Sequence, residues 1–181
     1  MTSADRAEAV RLPKRVEADE RSVAVEAALV ARVQPLWSGG DLPTPVVDLS
    51  DPLARALKSA RAAGRVIRGL ERAEQKLVSE SRGLDHVDRR VSAPRGQRVS
   101  RLVLVADDCA ERMYRRVETL LRRNRGRVLV LQLQSGEREI GELLFGAGSA
   151  AKLLMLDHKD AVSDALLALA DPGEQESPPQ R

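Results

Sequence analysis

A strand-to-helix unit at residues 101–118 constrains the fold of this chain more than any other part of the sequence. It reads RLVLVADDCAERMYRRVE, so an aliphatic run ends on Asp107 and Asp108 and an amphipathic segment follows directly. A short aliphatic run rich in β-branched residues predicts a buried strand, and an amphipathic segment predicts a helix. Residues 127–145 and 151–170 repeat the pattern. Strands and helices therefore alternate, which predicts an α/β domain with a sheet covered by helices.

The segment ahead of this unit predicts two further helices with a short strand between them. Ser50 and Pro52 are typical of a helix start, because Ser caps the first turn and Pro lacks an N–H that would be unsatisfied there. We expect this helix to end at Gly64, a strand over 65–67 and a second helix over 70–79. In the two repeats, we expect strands at 127–132 and 151–156 and helices at 137–145 and 160–170.

Residues 1–49 predict an N-terminal extension. Ala and Val recur at helical spacing over 17–33, behind acidic residues that suit a helix N-terminus, so we expect one helix there. Residues 38–49 are rich in Gly and Pro, which is typical of a linker or an extended strap. The extension, with its apolar stripe and Trp37, is a candidate docking surface for a neighbouring protein.

The main domain is expected over 50–171. A stretch at 79–100 contains Gly, Pro and several Arg without a sustained period, which predicts a long basic loop inserted into the domain. The composition of 172–181 predicts a disordered tail.

Charge in this sequence is concentrated in local arginine clusters. The pI is about 9.4 although the net charge is only +3, and guanidinium groups suit phosphates and guanine edges. A basic turn contains Arg122, Arg123, Arg125 and Arg127, which would bind phosphates in one interpretation and form a solvated surface in the other. Aromatic residues make up 2% of the chain, which argues against stacking of bases on aromatic side chains.

The reactive residues predict neither catalysis nor a metal site. Cys109 is the single cysteine, which excludes an internal disulfide and a multi-cysteine zinc site. His86 and His158 have no second ligand at a suitable spacing, and the GAGS sequence lacks the Lys of a phosphate-binding loop. We therefore expect no enzyme and no cofactor. Without an apolar segment of bilayer length or a signal core, we expect an intracellular protein, cytoplasmic or nuclear and nucleolar.

Four pieces of the sequence resemble a known family when their order and spacing are taken together. They are LARALKSARAAGRVIRG at 53–69, LERAEQKL at 70–77, LVLVADDC at 102–109 and EIGELLFG at 139–146. The family is that of the ribosomal and ribonucleoprotein subunits L-seven-Ae and L-thirty-e, which bind kink-turns in RNA. The resemblance implies a three-layer α-β-α sandwich with the N-terminal helical extension added to it.

The resemblance also implies where RNA binds. In the family, the start of the second helix reads the kinked RNA through a Gly–x–Asn–Glu–x–x–Lys pattern, and the loop before the last strand makes a second contact. The pattern falls here on Gly69, Glu71, Arg72 and Gln75, and only the glycine matches. The implied RNA-binding residues, with the cations beside them, are Arg65, Arg68, Gly69, Glu71, Arg72, Gln75, Lys76, Asp108, Gly146, Gly148 and Ser149.

The implied function is that of a non-catalytic RNA-binding subunit of a ribonucleoprotein particle of the ribosome, ribonuclease P or MRP, or small nucleolar type. Its partners would be structured RNA and, through the extension, other proteins of the particle, with no membrane. A first alternative is a protein-interaction module that has lost RNA reading. A second is a receiver-like domain, in which Asp107 and Asp108 bind Mg²⁺ and Asp157 accepts phosphate. A structural alternative for Asp108 is that it caps the helix beginning near Cys109.

Overall fold

The computed structural model describes residues 10–88 and 98–173. The helices in these ranges are α1 Lys14–Glu17, α2 Ser22–Ala31, α3 Asp51–Ala62, α4 Leu70–Asp88, α5 Glu111–Arg123, α6 Glu137–Phe145 and α7 Lys159–Ala168. The strands are β1 Val33–Gln34, β2 Thr44–Val47, β3 Val66–Arg68, β4 Arg101–Val105, β5 Val128–Leu133 and β6 Leu153–Leu156. Among the described residues, no helix combines the length and apolarity that crossing a bilayer requires.

The strands form one mixed sheet in the order β1-β2-β5-β4-β6-β3. Strand β5 is parallel to both β2 and β4, whereas β6 is antiparallel to both of its neighbours, β4 and β3. The carboxyl ends of β2, β3, β4 and β5 and the amino end of β6 therefore lie at the same side of the sheet. We call this side the carboxyl edge, and its turns contain Gly69, Asp107, Gln134 and Lys152.

Each face of the sheet carries its own apolar core. In β4, Leu102 and Leu104 pack with α3, α6 and α7, whereas Val103 and Val105 pack with α4 and α5. All four side chains are at most 1% exposed, and full burial of such a side chain contributes about 1.5–3 kcal/mol. The prediction of an α/β fold with helices covering the sheet is confirmed.

The predicted single helix at 17–33 is corrected to two helices. Helices α1 and α2 are separated by a turn in which an Asp19 carboxylate oxygen accepts a hydrogen bond from the backbone N–H of Arg21, 2.9 Å away. An Asp side chain that bonds the backbone two residues onward stabilises a turn in place of a helix. Val16 and Val25, on either side of this turn, are fully buried in the main core.

The predicted linker at 38–49 contains strand β2, which is a second correction. Val46 and Val47 pair with Gln132 and Leu133 of β5, and β1 pairs with β2 on the other side. Two prolines within and beside this four-residue strand hid its strand character, because proline is depleted in strands. Described residues before position 50 therefore share the sheet and the core with the rest of the chain.

The predicted basic loop at 79–100 is also corrected in part, because α4 continues to Asp88. Residues 89–97 of the expected loop lie outside the described residues. Val99 is buried, and its N–H donates to the carbonyl of Arg11 at 2.9 Å. Tertiary contacts hold the extended helix: Glu80 forms ion pairs with Arg101 and Arg127, at the starts of β4 and β5.

We expect the ion pairs of Glu80 to stabilise the fold more than exposed ion pairs on the same helix do. Glu80, Arg101 and Arg127 are each less than 20% exposed. We expect Glu80→Gln to lower the free energy of unfolding by about 1–3 kcal/mol, because it leaves two half-buried guanidinium groups without a carboxylate. Urea unfolding measures this. Glu74→Gln is the control, because the Glu74–Arg116 pair is exposed and should contribute less than about 1 kcal/mol. Equal effects of the two variants would contradict the assignment.

Candidate nucleic-acid interface

Several of the sequence-predicted RNA-binding residues lie together at the carboxyl edge. The N–H of Gly69 donates to the carbonyl of Leu153 at 2.9 Å, so the turn after β3 lies beside the start of β6. On the other side of β6, the N–H of Ala106 donates to the carbonyl of Lys152 at 2.9 Å. Because β6 separates β3 from β4, the Gly69 turn and the Asp107–Asp108 turn are two strand spacings apart, about 10 Å.

Arg68 connects the end of β3 to the loop at 146–150. Its guanidinium donates a hydrogen bond to the carbonyl of Ala150 and lies 4.6 Å from the centroid of the Phe145 ring. The guanidinium carbon of Arg61, on α3, lies 4.9 Å from the same centroid. Both arginines are exposed, and a cation within about 6 Å of a ring centroid gains a cation–π attraction.

Sequence reasoning missed Arg61 and Phe145. In the sequence, Arg61 is one of several charged residues on an amphipathic helix. Its contact with Phe145 depends on how α3 and α6 pack against each other. A weak signal existed, because Phe145 is the single Phe of the chain and is followed by an exposed small-residue loop.

Glycines shape both halves of this interface. Gly69 has a φ of +96°, a conformation that side-chain-bearing residues rarely adopt, and its carbonyl accepts the first bond of α4 from the N–H of Ala73 at 3.2 Å. Gly141, in α6, allows the loop to lie directly on the helix, since a Cβ there would stand 2.4 Å from the Ala150 Cα. Gly146 and Gly148 also have positive φ, and the loop around them is exposed.

The predicted capping role of Asp108 is corrected. Helix α5 begins after Ala110 without a side-chain cap. Asp108 instead accepts a hydrogen bond at 2.9 Å from the backbone N–H of Glu137, the first residue of α6. A Cβ at Gly136 would lie 2.7 Å from the other Asp108 oxygen, so the glycine admits this contact. Asp108 therefore stabilises the start of the neighbouring helix, where a negative charge is favoured.

Tyr114 fixes the turn between β4 and α5. Its hydroxyl donates to the carbonyl of Ala106 at 2.8 Å and accepts from the N–H of Cys109 at 3.0 Å. Burial raises the pKa of Tyr114. Burial, with a smaller contribution from the Asp108 charge, raises the pKa of the Cys109 thiol to about 11. Asp107 in the same turn is exposed.

Arg65 lies apart from the other predicted contacts. It precedes β3, at the opposite side of the sheet, where its carbonyl accepts from the N–H of Asp157 at 3.2 Å and its guanidinium lies 4.0 Å from Asp160. Glu71, Arg72 and Gln75 are exposed on the first two turns of α4. Lys76 is also exposed, and its Nζ lies 3.9 Å from a Glu80 carboxylate oxygen.

The basic turn at 122–127 is also remote from the carboxyl edge, because it precedes β5. Arg122 pairs with Asp41 and with Glu118, the latter at 2.9 Å, and Arg127 pairs with Glu80. Arg123 and Arg125 are exposed and have no ion pair within 10–88 and 98–173. Of the predicted four-arginine phosphate patch, two exposed arginines, Arg123 and Arg125, therefore lack an ion pair among the described residues.

The structure contradicts the geometry that the receiver-like alternative requires. Strand β6 runs antiparallel to β4, so Asp157 leaves the sheet at the opposite side from Asp107 and Asp108. The described part of the chain contains no group of three metal-binding side chains. His158 accepts a hydrogen bond from the N–H of Asp160 at 3.2 Å and caps α7. The side chain of His86 lies outside the described positions.

A groove lies between α4 and α5. It has a volume of about 760 Å³ and includes Leu77, Val78 and Leu120 among its lining residues. Of the predicted RNA-binding residues, Glu71 and Gln75 are among its lining residues.

Comparisons with known proteins leave the family open. No family model matches the chain, and no curated protein matches it. A solved structure of a protein of unknown function from Bacillus halodurans C is similar over 68% of this chain and 99% of its own, with 16% identity and a TM-score of 0.41. A similarity at this level defines neither a family nor a function.

The raised pKa of Cys109 predicts a slow thiol. Alkylation requires the thiolate, and a pKa of about 11 leaves the group protonated at neutral pH. We expect the iodoacetamide rate of the folded protein to rise about tenfold per pH unit from pH 7 to pH 10 without a plateau. Asp108→Asn should increase the rate slightly, because it removes the neighbouring negative charge. A plateau near pH 8.5 in the parent protein would contradict the burial of the thiol.

Close packing at Gly141 predicts that the loop at 146–150 depends on this glycine. We expect Gly141→Ala to lower the free energy of unfolding by about 1–3 kcal/mol and to shift the amide resonances of Ser149 and Ala150, because the added methyl group displaces their backbone. Urea unfolding and NMR spectra measure both effects. Gly83→Ala, in α4 with open space around the position, should stabilise by about 0.5–1 kcal/mol. Unchanged resonances of the loop in Gly141→Ala would refute the dependence.

Proposed function

We propose that the protein is a non-catalytic RNA-binding subunit of a ribonucleoprotein particle, which holds structured, kink-turn-like RNA at its carboxyl edge. The observation that carries the proposal is the position of three segments far apart in sequence. The Gly69 turn, the Asp107–Asp108 turn and the loop at 146–150 surround the start of β6. These are the segments to which the family resemblance gives RNA contacts.

Phosphate contacts belong to the β3 side of the edge. Arg68 is exposed and already oriented by Phe145 and Ala150. Arg72 lies within the first turn of α4, is exposed, and has no ion pair among the described residues. The free N–H groups and the dipole of the α4 N-terminus add a favourable field for an anion. Backbone contacts of this kind position an RNA without reading its sequence.

Base contacts belong to the β4 side, where the charge is negative. Asp107 is exposed, and its carboxylate can accept a hydrogen bond from the exocyclic amino group of an unpaired base. Asp108 is already engaged by the N–H of Glu137. The small residues of the loop at 146–150 allow close approach of an RNA backbone or base edge. The edge thus offers cations for phosphates and a carboxylate for bases about 10 Å apart.

The residues at the start of α4 that differ from the family's pattern affect which RNA the protein would prefer. Glu71, Arg72 and Gln75 replace most of the family's base-reading residues. A cation at Arg72 favours phosphate, and the amide of Gln75 can pair with an adenine edge. We therefore propose that affinity depends more on the RNA backbone, and less on sequence, than in the family that the chain resembles.

A second candidate function, docking of a partner protein, is favoured by the outer face of α2. Val23 and Val30 are 75% and 73% exposed, and Ala27 between them is also exposed, so an apolar stripe runs along the helix. In a ribonucleoprotein particle this stripe would contact a neighbouring protein. Point substitutions test it better than removal of the segment, because Leu12, Val16 and Val25 belong to the core.

RNA binding is tested with a pair of substitutions at the edge that removes two positive charges. We expect Arg68→Gln with Arg72→Gln to weaken binding of a kink-turn RNA at least tenfold and to make the slope of log K against log salt less negative by about 2, since each lost phosphate contact changes it by about 0.9. Arg123→Gln with Arg125→Gln is the control, with an equal charge change at a remote turn. Titration at several salt concentrations, with a straight duplex of equal length beside the kink-turn RNA, measures both.

The outcomes separate the candidates. Loss of binding in the edge variant alone supports the proposed function. Equal losses in both variants would show general attraction by positive charge and would overturn the edge as the binding site. If the parent protein binds neither RNA, the protein-docking function replaces it, and Val23→Ser with Val30→Ser becomes the variant to test for partner binding.

A further inference from the structure

We propose that a cationic strip on α3, formed by Arg55, Lys58 and Arg61, binds the phosphate backbone of a double-helical RNA stem. The stem would continue from the RNA that Arg68 holds at the carboxyl edge. This inference rests on the proposed function and adds a second contact surface with its own class of ligand. None of these three residues is among the RNA-binding residues that the family resemblance implies.

The spacing of the strip suits a regular backbone. Its residues are three apart in a helix that rises 1.5 Å per residue, so successive cations lie about 4.5 Å apart along the axis. A nucleic-acid strand carries one phosphate per roughly 3.4 Å of its axis. Because three residues correspond to less than one full turn, the strip winds around α3, and its last residue, Arg61, lies against Phe145 of α6. Three cations therefore match about three consecutive phosphates.

The strip is free to bind an anion. All three side chains are exposed, and none of them has an ion pair within 10–88 and 98–173. On α3 the sole acidic residue is Asp51, in the first turn. On the adjacent helix α7, Asp160 lies near Arg65 and Asp164 pairs with Arg15 at 2.7 Å, so these two carboxylates are already compensated.

The strip joins the carboxyl edge through Phe145. The guanidinium carbons of Arg61 and Arg68 lie 4.9 and 4.6 Å from the centroid of this one ring. They are therefore within about 10 Å of each other, whichever face of the ring each occupies. An RNA backbone that contacts Arg68 reaches Arg61 within two or three nucleotides.

A double-helical stem fits this surface better than a single strand. Binding of single strands depends on stacking of bases on accessible aromatic rings. Here Phe145 is contacted by two guanidinium groups, Trp37 has Arg115 4.3 Å from its ring centroid, and Tyr114 is 6% exposed. In a duplex the bases are already paired, and the phosphates alone suffice for contact.

The strip is less suited to binding a protein or a lipid surface than to binding a nucleic acid. The exposed large hydrophobic residues of the described chain are Val10, Val23, Val30, Val33 and Val78, and none of them is on α3 or β3. A docking interface or membrane anchor needs apolar surface beside its charges. Cations on a helix without an exposed large hydrophobic residue favour a polyanion.

The test uses two kink-turn RNAs that differ in stem length. We expect the full-length variant Arg55→Gln, Lys58→Gln, Arg61→Gln to make the salt slope less negative by about 2–3 on an RNA with a long stem, because each phosphate contact contributes about 0.9. On an RNA whose stem is cut back to the kink, the variant should resemble the parent protein. The control is Arg82→Gln, Arg123→Gln, Arg125→Gln, which removes equal charge from the outer α4–α5 layer.

Each result decides a point. A slope change confined to the strip variant and the long stem supports the strip. Equal changes of the salt slope in both triple variants, or an unchanged slope in the strip variant, overturn the strip. The proposed function still stands in that case if the variant with Arg68→Gln and Arg72→Gln loses the preference for kink-turn RNA. If the parent protein binds neither RNA, both proposals fail. Far-UV circular dichroism and melting temperatures within about 2 °C of the parent exclude misfolding, as expected for exposed sites.

Discussion

The antiparallel pairing of β6 between β4 and β3 decides which turns of this molecule meet. The four residues of β6 are at most 1% exposed, and their side chains contribute to the cores on both faces of the sheet. Because β6 runs opposite to its neighbours, β3 and β4 both end where β6 begins. The candidate interface exists because of this pairing, and a parallel β6 would have placed Asp157 there in place of the loop at 146–150.

Ion pairing, rather than net charge, determines which arginines are available at the surface. Arg101 and Arg127 are tied to Glu80, and Arg122 is tied to Glu118 and Asp41. The pairs of Glu80 fasten α4 to the sheet, and the Arg122–Asp41 pair fastens the segment before β2 to α5. The cations of α3 and the end of β3 have no carboxylate partner in the described parts of the chain. A net charge of +3 therefore coexists with one surface that is locally much more positive.

The sequence predicted elements whose residues follow a helical or strand pattern through their whole length. Helix α6 has the predicted bounds, Glu137–Phe145, because an apolar stripe and a following glycine define both ends. Strand β2 was missed because its prolines oppose the local preference and its partner, β5, lies more than 80 residues away. The role of Asp108 and the contact of Arg61 with Phe145 depend on distances between separate elements, which a single sequence does not encode locally. Family, RNA binding and partners stay predictions.

The ring of Phe145 restricts the motion of two cations before any ligand arrives. A free arginine side chain has about 2 kcal/mol of rotamer entropy to lose when it is immobilised. Arg61 and Arg68 both lie against the ring, and Arg68 is also hydrogen-bonded to Ala150, so part of that loss occurs on folding. An anion that binds here meets partly ordered guanidinium groups. A single apolar residue can thus raise the affinity of a surface for a phosphate chain without contacting the phosphates.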